Sequence, residues 1–179
     1  MKRRIDKRLI LIPVAVAATA LGGLLINMNM TDAATATVDA TSDHTMLGDE
    51  QARRAHQSFQ QAVAMLQAEE FDYAVTALHD VLSIYPALPE AHLNMGYAFL
   101  GLGDAQAAAD FFNSASDLRP TLHSAYYGLA LAARENGNDK AALAAMQAFA
   151  HLAAENDRHL PRAQAFIWEL QAATREASR

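Results

Sequence analysis

The chain has 179 residues, 52% of them hydrophobic, which is enough apolar mass for a core and too much for a wholly disordered chain. It contains no cysteine, which excludes disulfides, thiolate metal sites and a cysteine nucleophile. The net charge of -6 divides into +4 over residues 2–8, five bases against Asp6, and -10 over the rest; so acidic a body argues against nucleic acid as a partner.

Residues 1–8 form a basic segment, and from Leu9 to Ile26 the chain runs uncharged for 18 residues. As a helix rising ~1.5 Å per residue this stretch spans roughly 27 Å, close to the bilayer's hydrocarbon thickness of about 30 Å, so residues 9–26 are predicted to form a transmembrane signal-anchor helix. Bases before it, and none between Arg8 and Arg53, put the N-terminus in the cytoplasm and everything later on the far side. The alternative is a cleaved secretory signal. Its A-x-A sites, Ala18-Thr19-Ala20 and Ala34-Thr35-Ala36, are poorly placed, and the apolar run exceeds the ~7 to 15 residues usual in a signal peptide. Residues 27–48 lack apolar periodicity and aromatic residues and read as a flexible tether, about 70 Å long if extended and roughly 26 Å as a coil. The pair Met28 and Met30 lacks a third ligand and makes no copper site.

From Asp49 the sequence is dense in Ala, Leu, Gln, Glu and Met, with prolines only at 86, 89, 120 and 161, which predicts a run of helices with punctuation between them. A period of 34 aligns residues 55–88, 89–122 and 123–156. Position 8 is then Ala62, Gly96 and Ala130, and position 20 is Ala74, Ala108 and Ala142. Small residues at these places let two antiparallel helices approach, while Met65, Leu78, Met95, Phe99, Phe112, Leu129 and Met146 fill the gaps. Turn signals recur at Glu69-Glu70, Gly103-Asp104 and Gly137-Asn138-Asp139; Asp104 and either Asn138 or Asp139 suit N-caps, and Gly103 and Gly137 suit helix ends. Pro86 and Pro120 stop the second helices of the first two units, and the third unit lacks that proline.

This pattern resembles the tetratricopeptide repeat family. The middle unit carries the resemblance best, in Met95-Gly96, Phe99, Leu102-Gly103-Asp104, Ala108, Phe112, Ala115 and Pro120, with His92 where the family usually has Trp. The first unit departs from it at Ser58 and Gln61. The resemblance implies an all-α fold over residues 49–179: a right-handed α-solenoid of about three helix hairpins, preceded by the N-terminal transmembrane helix. A seventh helix over 160–175 is expected to cap the stack, with Pro161 in its first turn and Ala163, Phe166, Ile167, Leu170 and Ala173 on one stripe.

The resemblance also implies a partner-binding groove on the concave face, lined by the first helix of each unit. At the family's groove positions stand Phe59, Val63 and Leu66 in the first unit, Leu93, Asn94, Tyr97 and Leu100 in the second, and Tyr127, Leu131 and Arg134 in the third. Such a lining is apolar and aromatic. Family members that clamp a C-terminal carboxylate use Lys, Arg and Asn there; here only Asn94 and Arg134 remain, a poor anion site. Two readings of the stripe stay open: its aromatic residues pack against neighbouring helices, or they form an exposed patch for an amphipathic or extended segment.

Nothing in the chain points to catalysis. The seven histidines show no HxxxH or HExxH spacing, Gly101-Leu102-Gly103 is explained by a helix turn, and no nucleophile motif surrounds a serine. No cofactor and no metal are expected. The expected function is therefore a membrane-anchored adaptor or scaffold in the bacterial inner membrane, its C-terminal domain in the periplasm, binding a protein or peptide client during assembly of a cell-envelope complex. Cleavage of the N-terminal segment would instead leave the domain free in the periplasm. The layout resembles membrane-anchored periplasmic accessory factors of cytochrome c maturation, and the absence of CxxCH means the chain is not itself the haem carrier. Pilus, secretion and polysaccharide-export assembly factors share the layout, and a self-associating structural platform at the membrane is the alternative from another class.

Overall fold

Seven α-helices, and no strand, make up the described residues, 38–177 of a computed structural model. They are α1 (Val38–Gln67), α2 (Phe71–Ile84), α3 (Pro89–Leu102), α4 (Ala105–Leu118), α5 (His123–Glu135), α6 (Asp139–Leu152) and α7 (Leu160–Ala177). The second helices open at Phe71, Ala105 and Asp139, 34 residues apart, as the sequence period requires. The basic segment 1–8 and the expected transmembrane helix 9–26 lie outside the described residues, as does 27–37 of the expected tether. No described helix is long and apolar enough to cross a membrane.

One expectation is corrected here. The first helix begins at Val38, so its opening turns occupy the second half of the segment 27–48 read as a flexible tether. No proline interrupts residues 38–67, and Gly48 stands alone, with open space where a Cβ would be. Extending a helix already nucleated by packing costs little per residue, so missing apolar periodicity does not end it.

Each hairpin turns in the same way. The Asp104 N–H donates to the Phe99 carbonyl at 2.9 Å and the Gly103 N–H to that of Leu100 at 3.0 Å. Asn138 to Ala133 with Gly137 to Arg134, and Glu70 to Met65 with Glu69 to Leu66, repeat both bonds. This closure requires a left-handed residue at its centre. Gly103 (φ 81°) and Gly137 (φ 74°) supply it without cost, whereas the first unit holds Glu69 at φ 60°. The next helix is then capped by Asp104, whose carboxylate accepts from the Ala107 N–H at 3.0 Å, and by Asn138, which accepts from Ala141 at 3.0 Å; Asn138 rather than Asp139 is the cap. Glu70 makes no such bond.

Hairpins α1–α2, α3–α4 and α5–α6 stack in order, each second helix packing on the first helix of the next pair and α6 packing on α7. The first helices also touch in sequence, α1 to α3 and α3 to α5, and form one inner layer. The core runs through the stack: Ala62, Leu78, Val81 and Met95 near its start, Phe112 with Ala108 and Ala115 in the middle, Met146, Phe149 and Ala163 at the end. Phe112 is the central piece. Its ring meets Tyr97 edge-on at 4.9 Å, and a Cβ on either Gly96 or Gly128 would come within 3 Å of it, so the ring fills space that two glycines of neighbouring units leave. His92, in the place of the usual Trp, donates from Nε2 to the Pro86 carbonyl at 2.8 Å, and Tyr126 one unit later donates its hydroxyl to that of Pro120 at 3.2 Å. Ring donors at the same repeat position thus fasten α3 and α5 to the turns before them.

The seventh helix caps the stack as expected. Ala163 and Leu170 are buried and Phe166 and Ile167 half-buried, but Ala173, assigned to the same stripe, is exposed.

Candidate functional site

The ten groove residues divide by depth. Leu93, Asn94, Tyr97, Leu100 and Tyr127 are buried, each at most 7% exposed. Phe59, Val63, Leu66, Leu131 and Arg134 are half-buried. All sit on α1, α3 and α5, the helices that touch one another in sequence along the stack. Of the two readings of the stripe, internal packing describes its centre. Tyr97 lies between units: its hydroxyl donates to the Ser124 carbonyl at 3.2 Å and its ring meets Phe112. Tyr127 meets Phe149 edge-on at 5.1 Å and the His159 ring at 5.2 Å, which covers it from α6 and the turn before α7.

Burial keeps both phenols neutral. It pushes the Tyr97 hydroxyl far above its ordinary range, with Tyr127 adding to the effect, and it raises Tyr127 against the opposing pull of Arg162, Asp157 adding to the rise. Phe59, Val63, Leu66 and Leu131 are apolar and only half-buried; Leu66 and Leu131 pack against the buried Leu93, Tyr97 and Leu100, and Phe59 against Ala62 and Met95.

Arg134, the one base among the groove residues, is already engaged. Its guanidinium lies 2.9 Å from a Glu169 carboxylate oxygen and 3.4 Å from Asp139, and it stacks over the Phe166 ring at 5.2 Å. It joins α5, α6 and α7 and offers little to a ligand carboxylate, and Asn94 is enclosed. Among the described residues no group of three His, Asp or Glu side chains is placed to hold a metal ion.

The profile of the tetratricopeptide repeat family matches residues 89–122, the span of α3, its turn and α4. Residues 89–122 are a tetratricopeptide repeat. The flanking hairpins repeat its length and turn geometry, and the whole stack has the fold of tetratricopeptide-repeat domains. The TPR2B domain of yeast Sti1, solved as a pHsp70 complex, superposes with a TM-score of 0.63 at 18% identity, covering 68% of this chain and 98% of that one. The type III secretion translocator chaperone SycD of Yersinia enterocolitica gives 0.64 at 11% identity, with 67% and 85% covered. A type III secretion complex from Aeromonas hydrophila gives 0.67 at 16% identity, with 72% and 88% covered. At such identities the likeness concerns fold alone. A comparison with curated proteins finds no match.

One feature outside the groove escaped the sequence reading. Trp168 on α7 is 72% exposed, the most open of the large apolar side chains among the described residues. Its signal was its place off the stripe Ala163, Phe166, Ile167 and Leu170, which turns it away from the stack.

Proposed function

We propose that the tetratricopeptide-repeat domain is a protein-binding adaptor, held at the bacterial inner membrane by residues 9–26 and acting in the periplasm during assembly of an envelope complex. The observation that carries this reading is that Phe59, Val63, Leu66 and Leu131, apolar residues of the first helices, stay half-buried while Leu93, Tyr97 and Tyr127 are enclosed and Arg134 is already paired; we read the four as one apolar rim. A rim of this kind suits an amphipathic or extended apolar segment, whose side chains complete the partly covered surface. It does not suit a free carboxylate. That stacks of this fold were solved in a pHsp70 complex and in a type III secretion complex supports a binding role for this one. The anchor and tether layout supports the membrane assignment, and its likeness to accessory factors of cytochrome c maturation makes apocytochrome segments the first clients to test.

The test uses the full chain, extracted from membranes, as bait beside a Val63→Glu, Leu131→Glu variant. Both positions are half-buried rather than enclosed, and circular dichroism checks that the variant keeps its helicity. Retention of one client by the native chain and its loss by the folded variant is the expected result; capture of the same proteins by both would remove the rim from the account. Alkaline carbonate washing tests the anchor, since a spanning helix stays in the membrane fraction, whereas release at reduced size means signal cleavage.

A further inference from the structure

We propose that the segment received at the apolar rim is cationic, with lysine or arginine interleaved among its apolar side chains and meeting Glu69, Glu70 and Glu135 at the rim's edge. The inference rests on the rim reading of Phe59, Val63, Leu66 and Leu131 and names the class of polypeptide that the rim takes.

Charge is spread unevenly over the stack. Residues 55–118, the first two hairpins, hold eight acids and no lysine or arginine, whereas residues 123–152, the third hairpin, hold two of each. Two of the eight are answered from outside that stretch, Asp80 by Arg54 at 3.8 Å and Glu90 by Arg119. The other six, Glu69, Glu70, Asp72, Asp104, Asp110 and Asp117, form no ion pair among the described residues. Three of the four rim residues stand on α1, inside this uncompensated part.

Carboxylates also border the rim itself. The Glu69 N–H donates to the Leu66 carbonyl at 3.3 Å, so the exposed Glu69-Glu70 turn directly follows the end of the rim on α1. On α5, Glu135 lies four residues past Leu131, one turn further along the same face. Partial burial raises the Glu135 carboxyl above its ordinary range, and a cation brought beside it lowers it again. The neighbouring Arg134 is turned to Asp139 and Glu169 and does not supply that cation. An apolar strip bordered by unpaired carboxylates complements an apolar segment that carries bases: burial gives the affinity, and the charges give encounter rate and orientation. The same field repels nucleic acid and anionic lipid, which leaves a polypeptide as the counterpart.

The test titrates labelled octapeptides of alternating Leu and Lys, Leu and Ser, or Leu and Glu into the full chain in phosphatidylcholine nanodiscs, with empty discs as the blank and fluorescence anisotropy as the readout. The expected result is that the Leu-Lys peptide binds most tightly and loses affinity with added salt. The Glu69→Gln, Glu135→Gln variant should weaken it about three- to tenfold, as two exposed charge pairs allow. Asp110→Asn, Asp117→Asn, which removes the same charge from α4, should leave it nearly unchanged. Equal binding of the Leu-Lys and Leu-Ser peptides, or equal losses in the two charge variants, overturns the inference and leaves the rim reading standing. Displacement of the peptide as the number of chains per disc rises also overturns it, because a second copy then occupies the rim. Undiminished binding to a folded Val63→Ser, Leu131→Ser variant, which adds no charge, removes the rim reading and this inference with it.

Discussion

Glu69 does the work of a glycine. The three hairpin turns share one hydrogen-bond pattern, and its central residue must be left-handed; Gly103 and Gly137 meet that demand, while Glu69 meets it with a side chain that disfavours φ 60°. Glu69→Gly is therefore expected to stabilise the domain by about 1 kcal/mol, read as a rise in denaturant midpoint at unchanged slope. An unchanged midpoint would mean that the turn is not strained. Phe112 offers the opposite case. A side chain at Gly96 or Gly128 must displace its ring, so Gly96→Leu should cost roughly 1 to 3 kcal/mol or more, and Gly128→Ala should also destabilise, both seen as lower melting temperatures. Gly96 was legible in the sequence because position 8 is small in every unit. Gly128 was not, because its repeat position holds Gln60 and Asn94 in the other units and only the packed ring shows why glycine stands there.

At the scale of elements, α7 is held by Ala163 and Leu170 underneath and by Arg134 across its top, with Asp157 in the preceding turn. Asp157 accepts from the His159 N–H at 2.7 Å and lies 3.3 Å from His123 of α5, so the turn is tied back to the stack. Arg134→Gln is expected to speed amide exchange across 160–177 while lowering global stability by no more than about 1 kcal/mol, since its ion pairs are largely exposed. Equal exchange in both proteins would show that apolar burial alone docks the helix. Partial burial, reinforced by Arg158, Arg162 and His123 and opposed by Asp157, holds the His159 imidazole below its ordinary range. The folded state then disfavours its charged form. Its contribution to stability is complete above the ordinary value of about 6.5 and is lost as pH falls through that value toward the lower folded one. Exchange protection of α7 should thus decline on mild acidification, and His159→Gln should flatten that dependence. The helices themselves were readable from caps, prolines and period. The early start of α1 was not, since residues 38–48 carry no apolar periodicity and a helix growing from a packed end does not need it.

Across the whole molecule, a repeat pattern specifies a stack and leaves its exposure undecided. The groove positions could be placed on α1, α3 and α5 from the sequence, but whether Leu93 and Tyr97 face a ligand or a neighbouring helix depends on how closely adjacent units approach. Gly96, Gly128 and the Phe112 ring bring them close, and Leu93, Tyr97 and Tyr127 are enclosed as a result. Leu93→Glu is accordingly expected to unfold the domain, because it buries a charge without a partner, and loss of the far-UV helical signal would register it. The rim residues, by contrast, should tolerate change and transmit it to binding. The account's central claim is that a client meets the inner layer at this rim. It is tested most directly by photocrosslinking in intact cells from single reactive residues at Val63, at Leu131 and, as an outward control, at the exposed Gln147 of α6. The account predicts that Val63 and Leu131 crosslink to one and the same envelope protein and that Gln147 does not. Crosslinks from the rim only to copies of this chain, or to the same proteins from all three sites, would contradict it.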